Sequence, residues 1–149
     1  MVKGQIGLQT IEGSGKRFIG VSGSGHRITF DDAQGDAGPR PTEAALLALG
    51  ACTAFDVISI LRKKRQIVRK YQVELEAQQH EEPPTYFTAV TVKHRLWGEI
   101  DPEAVKRAIH LSETKYCSVG AMISKTATIH TIFEIIPGSA GEEPDEAKS

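Results

Sequence analysis

The sequence predicts an α+β fold, in which strand-forming and helix-forming segments occupy separate stretches of the chain. Three observations support this prediction: strand segments with alternating polarity come in neighbouring groups, one long apolar segment of helical length lies between these groups, and two shorter helical segments precede the last strand. The chain has 149 residues, of which 40% are hydrophobic, a size typical of one domain with a substantial core. We therefore expect a single domain over residues 1–136 and a disordered, acidic tail over residues 137–149.

The composition argues against several classes of function. The net charge is −1, so no basic surface for nucleic acid or for an acidic membrane is indicated. The start of the chain lacks the basic-then-apolar pattern of a signal peptide, and we expect a cytoplasmic protein. Two cysteines 65 positions apart form neither a disulfide framework nor a metal-ligand pattern. The histidines also lack the spacing of metal ligands, so we expect no metal.

Residues 4–31 are predicted to form three short strands. Apolar and polar residues alternate from position 5 to position 10, and apolar segments recur at 17–21 and 27–30. Glycine-rich turns at 12–15 and 22–25 suit tight hairpin connections. A polar loop over residues 31–40 then leads to Pro41, which is well tolerated in the first turn of a helix.

Residues 42–63 are predicted to form a helix that is apolar on almost every side. Asp56 and several small polar residues interrupt it, and it falls short of about 20 clean apolar residues, so a buried helix is favoured over a membrane span. Such a helix needs cover on more than one side, and the predicted strands can supply one side only. We therefore expect a homodimer with the long helices at its centre.

The second half of the chain contains a long hairpin, two helices and a final strand. Residues 70–81 and 86–97 alternate in polarity on either side of a proline-containing loop, which predicts two strands with one covered face. Asp101, followed by proline, is a typical helix start. A short helix is expected to begin near Cys117, and a last strand to cover residues 127–136.

The two cysteines are the candidate reactive groups. A thiol reacts as the thiolate, and apolar burial opposes its formation. Cys52 lies in the middle of the long helix, so a cation from another segment would have to activate it. The candidate cations are Arg17, Arg27 and Arg40. Asp56, four residues further along the helix, would oppose ionisation of Cys52 unless it is paired.

Cys117, by contrast, lies near a predicted helix start, where the helix dipole favours a thiolate. From the residues alone the two cysteines cannot be ranked, and a lone buried cysteine is often an inert core residue. Glu43 lies nine residues before Cys52, about 13 Å along a helix and on the opposite face. It could therefore reach only the site of a neighbouring chain.

Three segments resemble the osmotically inducible protein C / organic hydroperoxide resistance family, OsmC/Ohr. Residues 35–43 (GDAGPRPTE) and 46–57 (LLALGACTAFDV) resemble the active helix of that family, and residues 111–119 (LSETKYCSV) resemble its second cysteine segment. Ser24-Gly25-His26 with Asp31 resembles the third strand of the OsmC-like branch.

The resemblance implies an intertwined homodimer in which antiparallel sheets wrap two long central helices. It also implies a thiol-dependent peroxidase that reduces organic hydroperoxides to alcohols and needs no metal, haem or flavin. Cys52 would attack the peroxide and become a sulfenic acid, and Cys117 would resolve it as an intramolecular disulfide. A dithiol reductant would then reset the enzyme.

The resemblance further implies that an arginine and a glutamate hold the thiolate and the peroxide. The candidates are Arg27, Arg17 and Glu43, although the family glutamate directly follows the proline, where this chain has Thr42. Phe55 and Tyr116, beside the cysteines, are candidates for substrate binding, with core packing as the alternative. The alternative function is a non-catalytic OsmC-like dimer that binds a small apolar ligand or a partner.

Overall fold

The computed structural model describes residues 1–9 and 15–138, and the chain divides into two units, Met1–Ala45 and Leu46–Ser149. The first unit holds an antiparallel sheet of three strands in the order β1-β2-β3. These are β1 (Gly4–Leu8), β2 (Phe18–Ser22) and β3 (Arg27–Phe30), which confirms the three predicted strands. Most of the predicted turn at 12–15 and most of the predicted tail at 137–149 lie outside the described residues.

The loop after β3 folds around a buried carboxylate. Asp31 is buried, and its Oδ2 accepts a hydrogen bond of 2.8 Å from Nε of Arg17. Its two carboxylate oxygens also accept hydrogen bonds from the backbone N–H groups of Asp32 and Ala37. The hydrogen bond from Arg17 lowers the pKa of Asp31, because it stabilises the ionised form.

The long helix, α1 (Pro41–Lys63), begins in the first unit, where its third residue, Glu43, bonds back to the residue before the helix. The backbone N–H of Arg40 donates to Oε1 of Glu43 at 2.8 Å, which satisfies a group that the helix leaves without a partner. The Arg40 side chain also binds Asp36, at 2.8 Å from Nη1 to Oδ1. Glu43 therefore has a structural role at the start of α1.

In the second unit α1 presents one buried stripe, formed by Leu49, Gly50, Thr53, Val57 and Leu61. Other apolar side chains of the helix are exposed in the single chain, Leu47 by 61% and Phe55 by 72%. α1 is long and apolar enough to cross a membrane, but the core helices of soluble proteins can have the same length and composition. The expectation that α1 is covered on most sides is therefore not met by one chain, which fully buries only this stripe.

The second sheet has the order β4-β5-β6, and one of its strand pairs differs from the antiparallel sheets that the resemblance implies. Strands β4 (Ile67–Gln79) and β5 (Phe87–Glu99) form the predicted antiparallel hairpin, whereas β6 (Thr128–Ile136) pairs with β5 in parallel. The reason lies in the connection between β5 and β6, which contains helices. A crossover of this kind returns the chain to the same end of the sheet, so the next strand runs in the same direction.

The crossover contains α2 (Pro102–Leu111), a five-residue π-helical segment (Ser112–Tyr116) and α3 (Ser118–Ile123). The start of α2 is as predicted: the Asp101 side chain accepts a hydrogen bond from the backbone N–H of Glu103 at 3.0 Å. The apolar stripe of α2 is buried, and Ser112, which continues this stripe, is fully buried.

Two apolar clusters make up the core of the second unit. One includes Val57, Leu61 and Leu96 with the buried face of α2, and the other includes Leu49, Val90, Val92, Cys117 and Ala127. Gly50 allows β4 to approach α1 closely, because a Cβ at this position would lie 2.5 Å from Cδ1 of Leu75.

A buried polar pair accompanies these clusters. His94 is fully buried on β5, and its Nδ1 lies 2.5 Å from Oη of Tyr71. Among the described residues no group forms a hydrogen bond with its Nε2. Burial lowers the pKa of His94 from 6.5 to about 4, because the charged imidazolium loses its hydration.

We expect this histidine to make the protein sensitive to acid. The folded-state pKa of His94 lies below the unfolded value of 6.5. The contribution of neutral His94 to the free energy of unfolding is therefore complete above pH 6.5 and is lost as the pH falls through about 4. The free energy of unfolding should fall by up to about 3 kcal/mol more in the wild type than in His94→Gln across this range. Urea unfolding at a series of pH values measures this, with His130→Gln, exposed on β6, as the control. Parallel acid curves for the wild type and His94→Gln would contradict it.

Candidate functional site

The structure brings the two cysteines together although they are 65 positions apart in the sequence. Cys52 is half-buried in the middle of α1 and packs against the cluster that contains Cys117. Cys117 is 6% exposed and stands immediately before α3. Both cysteines are free thiols, and the two side chains are close enough for Cys52 to shift the pKa of Cys117. This arrangement makes the pair a candidate redox site.

Local backbone geometry fixes the position of Cys117. The π-helical segment ends with a hydrogen bond of 2.8 Å from the Cys117 N–H to the carbonyl oxygen of Ser112. The Cys117 sulfur in turn accepts a hydrogen bond of 3.2 Å from the backbone N–H of Gly120. Residue 120 is close to both the sulfur and α1: a Cβ there would lie 3.0 Å from Sγ of Cys117 and 3.5 Å from Cδ1 of Leu49.

The surroundings keep Cys117 protonated at neutral pH. Burial is the main reason that the pKa of Cys117 rises to about 11, and the neighbouring Cys52 and the charge of Asp56 raise it further. The hydrogen bond from Gly120 acts in the opposite direction but is weaker. The expectation that a helix start favours the Cys117 thiolate is therefore wrong. The helix that follows has only six residues, and the loss of hydration outweighs its dipole.

A carboxylate and two hydroxyls lie next to the thiols. Oγ of the fully buried Ser112 donates to Oδ2 of Asp56 at 2.8 Å, and Oγ1 of Thr53 lies 3.1 Å from the same Oγ. Asp56 is thus paired with a neutral group, and its charge is not neutralised by this contact. The sequence identified Asp56 as a group that opposes ionisation of Cys52, but not its link to Ser112. The one sequence signal for that link is the serine that continues the inner stripe of α2.

A cavity of about 210 Å³ adjoins Cys117. Its wall combines apolar and polar side chains, and its lining residues are Leu49, Thr53, Val92, Ser112, Glu113, Cys117, Gly120, Ser124, Ile129 and Thr131. The predicted substrate-binding residues Phe55 and Tyr116 do not line this cavity and are 72% and 49% exposed. Their role in substrate binding stays a prediction.

The remaining candidate residues belong to the first unit. Arg17 is paired with the buried Asp31, and Arg27 is exposed on β3. Arg40 and Glu43 are engaged with each other at the start of α1. The action of any of these residues on a thiol stays a prediction. Within residues 1–9 and 15–138, no group of three or more His, Cys, Asp or Glu side chains is placed to hold a metal ion.

Comparison with known proteins identifies the family. The family model described as OsmC-like protein matches residues 33–132. The chain belongs to the OsmC family. Among its relatives in this family, Protein YhfA of Escherichia coli (strain K12) is 42% identical over 123 residues, which cover 82% of this chain and 92% of YhfA.

Solved structures agree with the architecture. A hypothetical protein from Aquifex aeolicus VF5 has a TM-score of 0.82 at 27% identity, covering 93% of this chain and 98% of that protein. The organic hydroperoxide resistance protein OhrB of Bacillus subtilis has a TM-score of 0.63 at 12% identity, covering 90% and 98%. The likeness to OhrB shows the fold alone. Together these findings confirm the predicted family and the α+β class.

Proposed function

We propose that this OsmC-family protein is a thiol-dependent peroxidase that reduces organic hydroperoxides to alcohols. The observation that carries the proposal is the meeting of Cys52 and Cys117 in one cluster of the second unit. Two free thiols held together by separate segments suit a reversible dithiol–disulfide cycle. The fold is shared with OhrB, which is an organic hydroperoxide resistance protein, and this likeness supports the choice of substrate class.

In the first step Cys52 is the nucleophile. Its thiolate attacks one peroxide oxygen, an S–O bond forms and the O–O bond breaks. The alkoxide leaves and takes up a proton to become the alcohol, and Cys52 becomes a sulfenic acid. Cys52 suits this role because it is half-buried and therefore accessible, whereas Cys117 is buried and keeps its proton at neutral pH.

In the second step Cys117 resolves the sulfenic acid. Its sulfur attacks the sulfur of Cys52, an S–S bond forms, the S–O bond breaks and water leaves. A dithiol reductant then exchanges with this disulfide, returns two electrons and two protons to the protein and is itself oxidised to a disulfide. The cycle therefore consumes one hydroperoxide and one dithiol and releases one alcohol and one water.

Activation of Cys52 requires a cation, and the candidates remain Arg27 and Arg17, with Glu43 as a partner for the peroxide. Arg17 already holds the buried Asp31, whereas Arg27 is exposed on β3. Phe55 and Tyr116 are proposed to contact the hydrophobic part of the substrate. Removing the guanidinium that acts on Cys52 would destabilise its thiolate and slow the first step.

We further propose that the protein is a cytoplasmic homodimer with its α1 helices central. The exposed side chains of Leu47 and Phe55 support this, because apolar side chains on a long helix are normally covered. A reducing compartment also suits a site whose resting state has two free thiols. Light scattering at micromolar concentration should give the mass of a dimer, and a monomer would contradict this part of the proposal.

A second candidate function is the binding of a small apolar ligand without catalysis. The cavity next to Cys117 favours it, because Leu49, Val92 and Ile129 contribute an apolar wall. In that case both cysteines would remain reduced after exposure to hydroperoxide.

The experiment that tests the proposed function uses Cys117→Ser and a sulfenic acid trap. With the resolving thiol removed, one equivalent of cumene hydroperoxide should leave a sulfenic acid on Cys52 that dimedone labels. The lifetime of this species should exceed that in the wild type by at least about 100-fold, since an adjacent thiol reacts at a high effective concentration. The double variant Cys52→Ser/Cys117→Ser is the control and should stay unlabelled. Absence of dimedone label on Cys52 in Cys117→Ser would contradict the mechanism.

A further inference from the structure

A single carboxylate stands beside both thiols of the pair. Asp56 follows Cys52 by four residues on α1, so the two side chains share a face, with Cβ atoms about 5–6 Å apart. The charge of Asp56 also raises the pKa of the Cys117 thiol. The proposed peroxidase cycle assigns no role to this group so far.

Ser112 links the carboxylate to the resolving cysteine. Its hydroxyl donates to Oδ2 of Asp56, and its carbonyl oxygen accepts the N–H of Cys117, each at 2.8 Å. Ser112 is fully buried, and the Thr53 hydroxyl at 3.1 Å fixes its side chain from α1. This contact engages Oδ2 of Asp56 with a neutral hydroxyl, so the group remains a carboxylate that can accept a proton.

We propose that Asp56 carries the proton that must move when the disulfide forms. The inference rests on the proposed peroxidase function. As the Cys117 sulfur attacks, the carboxylate of Asp56 accepts the thiol proton and delivers it to the oxygen that leaves Cys52. The S–S bond forms, the S–O bond breaks, and the oxygen departs as water. Asp56 returns to its ionised state, and Ser112 is a positioning residue that holds it.

The chemistry of the second step calls for such a group. Cys117 still carries its proton at neutral pH, and a thiol is a much weaker nucleophile than a thiolate. The leaving oxygen also departs far more readily as water than as hydroxide. A carboxylate next to both sulfurs can meet both needs with the same proton.

The alternative is that Asp56 acts only through its charge. A fixed negative charge raises the pKa of a neighbouring thiol and would slow the second step. Removing the charge would then speed disulfide formation, whereas removing a proton carrier would slow it. The two roles therefore predict effects of opposite sign in the same variant.

Two titratable side chains near Asp56, Tyr71 and His94, do not change protonation between about pH 6 and about pH 9. On β4, burial raises the pKa of Tyr71 above its ordinary value, and the charge of Asp56 raises it further. On β5, His94 is bonded to Tyr71, and burial lowers its pKa to about 4. The two thiols, Cys52 on α1 and Cys117 before α3, also lie near Asp56, and Glu113 of the π-helical segment lines the cavity that adjoins Cys117.

The test measures disulfide formation in Asp56→Asn, whose amide oxygen still accepts from Ser112 but cannot take a proton at neutral pH. Reduced protein receives one equivalent of cumene hydroperoxide, is quenched with acid at intervals and is analysed by peptide mass spectrometry. We expect the Cys52–Cys117 disulfide to form at least about 10-fold more slowly than in the wild type at pH 7. The variant rate should rise about tenfold for each pH unit, because it depends on the free Cys117 thiolate, while the wild-type rate should rise less steeply.

Two further variants make the result independent of a folding defect in Asp56→Asn. Ser112→Ala keeps the Asp56 carboxylate but removes the hydroxyl that donates to it. It should slow disulfide formation, while the rate keeps the shallow pH dependence of the wild type. Glu103→Gln removes a carboxylate from the far end of α2, about 13 Å along the chain from Ser112, and should leave the rate unchanged.

The outcomes separate this inference from the proposed function. A wild-type protein that forms no disulfide would overturn both. A wild-type protein that forms it, with Asp56→Asn equally fast or faster, would overturn the role of Asp56 alone. If Asp56→Asn fails to fold, an unchanged rate in Ser112→Ala would likewise overturn it.

Discussion

The Cys52→Ser variant is expected to lose at least about 1000-fold in the rate of organic hydroperoxide consumption, because removal of a catalytic nucleophile leaves little residual activity. Cys117 cannot replace Cys52 in this role, since it is buried and its pKa of about 11 leaves almost no thiolate at neutral pH. The substitution exchanges sulfur for oxygen at a half-buried position of α1, so the fold should be preserved. The measurement is the loss of cumene hydroperoxide in the presence of dithiothreitol.

A matched control for this variant lies on the same helix. Ser59→Ala changes an exposed position of α1 and should keep the wild-type rate. Unchanged turnover in Cys52→Ser would remove Cys52 from the mechanism. A wild-type protein that consumes no hydroperoxide would instead favour the ligand-binding function, in which Cys117 is part of the cavity wall and Cys52 packs against the core.

The Leu96→Ala variant is expected to lower the free energy of unfolding by about 3–5 kcal/mol, in the upper part of the range for buried leucines. Leu96 on β5 is fully buried and belongs to the cluster that joins α1, α2 and the second sheet. Truncation leaves a cavity between three elements, which cannot close around it without moving one of them.

Urea unfolding of Leu96→Ala and Met122→Ala measures this cost. Met122 lies on α3 and is 64% exposed, so its truncation should change the free energy of unfolding by less than about 0.5 kcal/mol. Equal stabilities of the two variants would contradict the assignment of the core.

Most elements of the fold could be predicted from local patterns, but the direction of β6 could not. Alternation of polarity shows which face of a strand is buried, and this holds for β4 and β5. It does not show which strand is the neighbour or whether the pair is parallel. In the structure β6 pairs with β5, and the intervening helices make the pairing parallel.

The position of Glu43 shows how a local bond can explain a departure from a family pattern. The sequence places this glutamate one residue later than the resemblance requires. In the structure it is the third residue of α1 and receives the N–H of Arg40, the residue just before the helix. A glutamate at this position supplies an acceptor for the N–H that precedes the helix.

Only part of the candidate site could be predicted from the sequence. The resemblance implies roles for both cysteines, but the predicted helix start favours the Cys117 thiolate. The opposite holds because desolvation depends on residues brought in from α1 and the second sheet, such as Leu49 and Val92. The contact between Ser112 and Asp56 joins residues 56 positions apart and has no signature in the spacing of either.

The most direct test of a Cys52–Cys117 redox pair is peptide mass spectrometry of the wild-type protein after one equivalent of cumene hydroperoxide, with and without subsequent dithiothreitol. The redox pair predicts one disulfide-linked peptide pair containing Cys52 and Cys117, formed within the time of a single turnover and lost again on reduction. Two cysteines that stay unlinked and unoxidised, while the hydroperoxide remains unconsumed, would contradict it.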